Sequence, residues 1–154
     1  MMTKMRRILA AVDGSATSDK ALTAALELAR DNAGCVRLIH AVEQLAYAAE
    51  FDYTGQAVLI AREIGQKVLQ DALAKASAAG VDADTELVDH PGQRVGEAVA
   101  EAARDWKADL IVVGTHGRRG VGRVLLGSGA EQIIRLSPVP VLVIRASTNS
   151  DVSR

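Results

Sequence analysis

The sequence predicts a doubly wound α/β fold: a five-stranded parallel sheet with helices on both faces, Rossmann-like in arrangement. Short apolar, β-branched runs alternate along the chain with longer segments whose apolar residues recur at helical spacing. The runs ILAAV and LIVV are apolar without alternation, as strands covered on both faces by crossover helices must be. A length of 154 residues suffices for one well-buried core, so a single domain over 1–154 is expected, with a tail from Ala146 of disordered composition.

Taken in order, residues 7–13 (RILAAVD) form the first expected strand. A helix follows from Ser18, with Leu22, Ala25, Leu26 and Ala29 on one face and Gly34 closing it. Ser15 and Ser18 are its capping candidates. The second strand is 35–42, and the next helix, 56–79, carries Val58, Ala61, Ile64, Val68 and Ala72 on one stripe and stops before Gly80. A third strand at 83–88 alternates polar and apolar residues, which places it at an edge. A helix over 93–107 uses Val95, Ala98, Val99, Ala102 and Trp106. The fourth strand is 109–114, a short helix runs over 128–136, and PVPVLVIR supplies a fifth strand at the end of the sheet. An uncovered apolar edge of that kind invites pairing with another chain.

Composition narrows the function classes. A formal net charge of −1 and a pI near 6.3 lack the basic surplus of a general nucleic-acid binder. The one cysteine, Cys35, excludes an intrachain disulfide and reads as a buried thiol in a reducing compartment. The basic start is followed by five apolar residues, Ile8 to Val12, stopped by Asp13, too few for a signal peptide or a membrane span. A cytoplasmic protein is expected.

In open parallel sheets ligands sit beyond the carboxyl ends of strands where the strand order reverses, which directs attention to Asp13 and Gly114. From Gly114 the chain reads GTHGRRGVGRVLLGSG, with six glycines and three arginines in sixteen residues. Neither GxxxxGK[ST] nor GxGxxG is present. What is present is Gly114-x-x-Gly117, nine residues, then Gly127-Ser128 opening a helix. Unpaired NH groups at that helix start, with a dipole contribution of about 0.3–1 kcal/mol, can hold an anion. The alternative is a surface loop of turn glycines with Arg118, Arg119 and Arg123 as solvated charges and Ser128 as a simple cap. Asp13 is open to two readings, a ribose or metal ligand, or an Asx turn before Gly14. His40 reads as a packed or hydrogen-bonded core residue and His90 as exposed. No His, Cys or carboxylate cluster has the spacing of a structural metal site. Tyr47, Phe51 and Tyr53 lie between Glu43 and Gly55, as a flap over a ligand, an assembly patch or a satellite core.

These stretches together resemble the universal stress protein family. The resemblance runs through ILAAVDGSATSDKAL, LIHAVE, ADLIVVGTHGRRG and LLGSGAEQIIRLSPVPVLVIR. It points to the nucleotide-binding branch, whose G-2x-G-9x-G-[ST] signature is matched by Gly114, Gly117, Gly127 and Ser128. The resemblance implies ATP or another adenine nucleotide at the carboxyl ends of strands one, two and four, with Mg²⁺ accompanying it. Asp13 would face the ribose or the metal, Ala41 would meet the adenine through its backbone, and Ala11 and Val113 would flank the base. Gly114, His116, Gly117, Gly127, Ser128, Gly129 and Ala130 would surround the phosphates. It also implies a homodimer through the last strand, about Val139 to Arg145. Family sequences commonly have a β-branched residue where this chain has Gly129, so a looser first helical turn is expected.

Three functions compete on these grounds: a nucleotide-dependent regulatory module in stress response, a slow ATP hydrolase or autophosphorylating protein, and an interaction module without nucleotide. No general base beside the γ-phosphate position is evident, which argues against fast phosphoryl transfer.

Overall fold

The computed structural model describes residues 4–42, 55–115 and 127–145. The elements are β1 (Arg7–Ala11), α1 (Ala16–Asp31), β2 (Cys35–Ala41), α2 (Gln56–Ala78), β3 (Asp82–Val88), α3 (Val95–Trp106), β4 (Leu110–Gly114), α4 (Ser128–Leu136) and β5 (Val141–Ile144). All five strands are parallel in the order β3-β2-β1-β4-β5. The expected fold is therefore observed, with β3 and β5 at the two edges.

Strand periodicity divides the sheet's side chains between two apolar layers. Ile8, Ala10 and Val12 join Val36, Leu38, Leu110 and Val112 beneath α1 and α2. Leu9 joins Ile39, Ile111 and Val113 beneath α3 and α4, where Val99, Ala102, Ala103 and Ile133 complete the layer. At the amino end of the sheet the Asp109 carboxylate accepts from the backbone NH groups of Arg6 and Arg7 at 3.0 and 2.8 Å, tying the starts of β1 and β4 together. The Arg7 guanidinium lies 4.2 Å from the centroid of the Trp106 ring and donates to the Trp106 carbonyl at 2.7 Å. Arg37 approaches the same ring at 5.0 Å and holds Asp84 with two hydrogen bonds of 2.9 and 2.8 Å across β2 and β3.

Several boundaries and faces differ from expectation. Helix α1 begins at Ala16 rather than Ser18, because Ser15 is its N-cap and accepts from the Ser18 NH at 3.1 Å. It ends through Asn32 and a left-handed Ala33 (φ 54°), not through Gly34. Gly34 is required for another reason. A Cβ there would overlap the Arg6 carbonyl and lie 2.7 Å from the Arg6 Cα, so only glycine lets β2 start beside β1. On α2 the buried stripe is Gly65, Leu69, Ala72 and Ala76, while Ile64 is 57% exposed. Gly65 seats the helix on the sheet: a Cβ there would lie 2.6 Å from His40 Cδ2 and 2.9 Å from Leu87 Cδ1, so Ile64, one residue away and about 100° round the helix, turns to solvent. Cys35 is a free thiol but only half-buried, since it is the first residue of β2 and sits at the sheet's end. His40 is 7% exposed and His90 is on the surface, as expected. Among the described residues no helix is long and apolar enough to cross a membrane.

Gly34→Ala is expected to cost about 1–3 kcal/mol or more in denaturant unfolding, because backbone rather than a flexible side chain must move; an unchanged midpoint would show that the Arg6 approach is slack. The hydrogen bonds from Arg37 hold the Asp84 carboxyl below its ordinary range. A depressed carboxylate stabilises the fold above its unfolded pKa and loses that contribution as pH falls through the folded one. Asp84→Asn is therefore expected to cost less than about 1 kcal/mol near neutrality, given the exposure of the pair, and the difference from wild type is expected to close as pH falls below about 4.

Candidate functional site

The chain leaves β1 toward the β2 side of the sheet and leaves β4 toward β5, so the strand order reverses between these neighbours. A cleft of about 500 Å³ opens at their carboxyl ends, within the range of small-molecule sites. Strand residues Ala11, Ile39, Ala41 and Val113 line it together with Val95 and Val99 of α3 and Ala130 and Ile133 of α4. Residue size creates the space. On this face of the sheet Leu9 is followed by Ala11 in β1 and Ile39 by Ala41 in β2, so the last inward position of each strand has only a methyl group. The result is an apolar slot between strand ends and helices.

Polar residues line it as well, Asp13, Ser15, Ser18, Arg94, Ser128 and Gln132, together with the backbone of Gly114 and Gly129. The loop after β1 is rigidly bonded. The Asp13 Oδ1 accepts from the Ser15 NH at 2.9 Å, and the Asp13 NH donates to the Ser18 hydroxyl at 3.0 Å. Gly14 between them has φ 86°, a left-handed turn that suits glycine. The Asx reading of Asp13 is thus correct, yet it occupies one carboxylate oxygen; the side chain is exposed at the cleft mouth with the other oxygen available.

At α4 the N-cap is Gly127, in extended conformation and without a side-chain cap, and its carbonyl accepts from the Glu131 NH at 2.9 Å. Ser128 is therefore the first helical residue rather than the cap. The NH groups of Ser128, Gly129 and Ala130 precede the first intrahelical donor and are directed beyond the helix end. All three residues line the cleft. Gly114 lines it too, but its smallness answers a second demand: a Cβ there would lie 2.8 Å from both the Thr17 carbonyl and Thr17 Cγ2, so glycine lets α1 start against the end of β4. Its φ is not positive.

Eight of the eleven expected site residues thus share one cleft: Ala11, Asp13, Ala41, Val113, Gly114, Ser128, Gly129 and Ala130. Gly127 caps the helix beside them. His116 and Gly117 lie outside the described residues, as do Arg118, Arg119, Arg123, Tyr47, Phe51 and Tyr53. Sequence reasoning missed Arg94 and Gln132. Gln132 stands four residues after Ser128, on the same helical face, and its Oε1 accepts from the Gly96 NH at 3.0 Å. Arg94 ends the connection after β3, another strand whose carboxyl end faces the same side. His40, a core residue in the sequence reading, borders the cleft as well and donates from Nδ1 to the Val12 carbonyl at 2.8 Å. The Thr115 hydroxyl is buried without a hydrogen-bond partner among the described residues. Among those residues no three His, Cys, Asp or Glu side chains converge as a metal site.

The two glycines at the cleft respond differently to a methyl group. Gly114→Ala is expected to destabilise the fold by about 1–3 kcal/mol through the Thr17 backbone. At Gly129 a Cβ would meet only Val95 Cγ1, at 3.8 Å, so Gly129→Ala is expected to raise stability by about 0.5–1 kcal/mol. Urea midpoints that shift in the same direction for both variants would refute this division.

The universal stress protein family matches residues 4–145. A universal stress protein of Methanocaldococcus jannaschii is 35% identical over 143 residues, covering 91% of this chain and 82% of that protein. A solved protein of the family from Burkholderia pseudomallei is 36% identical with a TM-score of 0.74, covering 95% of this chain and all 100% of its own. A universal stress protein solved in complex with cAMP is 26% identical with a TM-score of 0.66, covering 94% of this chain and 100% of that one. A match along nearly the whole sequence, joined to relatives above 30% identity that it covers over most of their length, means that this chain belongs to the universal stress protein family.

Proposed function

We propose that this chain is a nucleotide-binding regulatory module of the cytoplasm, which holds ATP or another adenine nucleotide in the cleft and signals stress or metabolic state as a homodimer. The observation that carries the reading is the pairing of two unlike surfaces in one cavity: a slot bounded by Ala11, Ala41 and Val113, and the NH-bearing start of α4. A flat apolar base fits the first and a phosphate the second. The cAMP complex of a relative supports an adenine nucleotide as the ligand class.

In this reading Ala11, Ala41 and Val113 enclose the base. Gly114, Gly127, Ser128, Gly129 and Ala130 present backbone groups to the phosphates, and His116 and Gly117 of the glycine signature complete that set. Asp13 faces the ribose or a Mg²⁺ ion, to which one carboxylate oxygen is suited when phosphates and water supply the remaining ligands. Asp13 is the one carboxylate lining the cleft among the described residues, and it already accepts from Ser15, which favours holding charge over abstracting a proton. The dimer reading rests on β5, which pairs with β4 on one side and has Leu142 36% exposed.

Mass spectrometry of the small molecule that co-purifies with the full chain, followed by calorimetry with ATP, ADP, AMP and cAMP, tests the reading. At least one is expected to bind, and Ala41→Phe, which fills the slot, is expected to abolish binding with the melting temperature kept within a few degrees. Absence of any co-purified nucleotide together with no thermal shift in millimolar ATP would sink it.

A further inference from the structure

Arg94 and Asp13 are the two formally charged residues that line the cleft among the described residues, and their environments differ. Asp13 is bonded into its own loop. The guanidinium of Arg94 forms no ion pair within the described residues, and it is the one cationic group among the described residues that line the cleft. The backbone of Arg94 is nevertheless held firmly. It is the N-cap of α3, and its NH donates to Glu97 Oε1 at 2.9 Å, so the capping is done by the glutamate and leaves the arginine side chain uncommitted.

The start of α3 is in turn clamped to α4. The Gly96 NH donates to Gln132 Oε1 at 3.0 Å, and a Cβ on Gly96 would lie 2.9 Å from the Gln132 backbone carbonyl carbon. Val95 faces Gly129 in the first turn of α4. Arg94 therefore emerges one residue before the point at which the two helix starts meet, at the rim of the cavity onto which the NH groups of Ser128, Gly129 and Ala130 open.

We infer that Arg94 is a specificity-determining residue of the cleft, supplying the cationic hydrogen bonds that select a phosphorylated ligand over the neutral nucleoside. The inference rests on the nucleotide reading above and adds the residue that reads charge. Helix NH groups and a dipole favour an anion without requiring one, whereas an arginine fork without a carboxylate partner gains its strong bonds only when a phosphate arrives. The carboxylate already near the mouth, Asp13, makes such a cation more necessary, since it opposes a phosphate unless a metal or a guanidinium offsets it.

Calorimetric titration of the full chain with ATP and with adenosine, for wild type, Arg94→Gln and Arg94→Lys, tests the role. Arg94→Gln keeps the backbone NH that Glu97 caps, so its melting temperature is expected to stay at the wild-type value. Its ATP affinity is expected to fall about ten- to a hundredfold while adenosine affinity is retained, with Arg94→Lys intermediate. ATP binding unchanged in Arg94→Gln overturns the inference and leaves the nucleotide site standing. An equal fall for ATP and adenosine also overturns it, since the residue would then shape the cleft rather than read charge. A wild-type chain that binds neither compound overturns the nucleotide reading and this inference together.

Discussion

Two parallel strands that lie side by side at the centre of a sheet, yet deliver the chain to opposite halves of it, force their connections to diverge, and β1 and β4 are such a pair. Ile8, Leu9 and Ala10 register against Leu110, Ile111 and Val112, and all six are buried. Below this pair Asp109 bonds the backbone NH groups of Arg6 and Arg7, which fixes the relative height of the two strands. Above it α1 packs on one face of the sheet and α4 on the other, and a gap is left at the carboxyl ends, walled by strand ends and by α3 and α4. The cleft is a consequence of that topology before any side chain is chosen.

Side-chain choice then decides what the gap can hold. Ala11 and Ala41 withhold the bulk that Leu9 and Ile39 supply one step lower, and Gly114 lets α1 begin against the sheet without closing the space. Gly96 plays a corresponding part on the other wall by letting α3 touch α4 through Gln132. The walls are thus drawn close by backbone contact while the interior stays open, a combination that well-packed cores avoid elsewhere.

The two ends of the sheet differ in how they treat charge. At the amino end Arg37 is bonded to Asp84, Arg7 is stacked on Trp106 and bonded to its carbonyl, and Asp109 is capped by two NH groups. Those charges are satisfied internally and contribute to the fold. At the carboxyl end Asp13 keeps one oxygen outside its turn and Arg94 extends without an ion pair among the described residues. That asymmetry sets the two ends apart: paired charges at the amino end, and charged groups facing an open cavity at the carboxyl end.

The sequence by itself determined the element order, the burial of the central strands, the edge positions of β3 and β5 and the start of α4, because hydrophobic periodicity and glycine punctuation are local properties. It also marked most of the cleft, since the carboxyl-end rule and the glycine signature single out Asp13, Gly114 and Gly127-Ser128 without any coordinates. Other features depended on distances between segments remote in sequence. The stripe on α2 shifted to Gly65, Leu69, Ala72 and Ala76 because Gly65 seats the helix against His40 and Leu87. Gly34 and Gly114 read as a helix stop and a ligand approach, yet each is demanded by the backbone of another element, Arg6 or Thr17. Arg94 and Gln132 carry no motif; they join the site because Gly96 seats α3 on α4, a contact across 36 residues that no local pattern encodes.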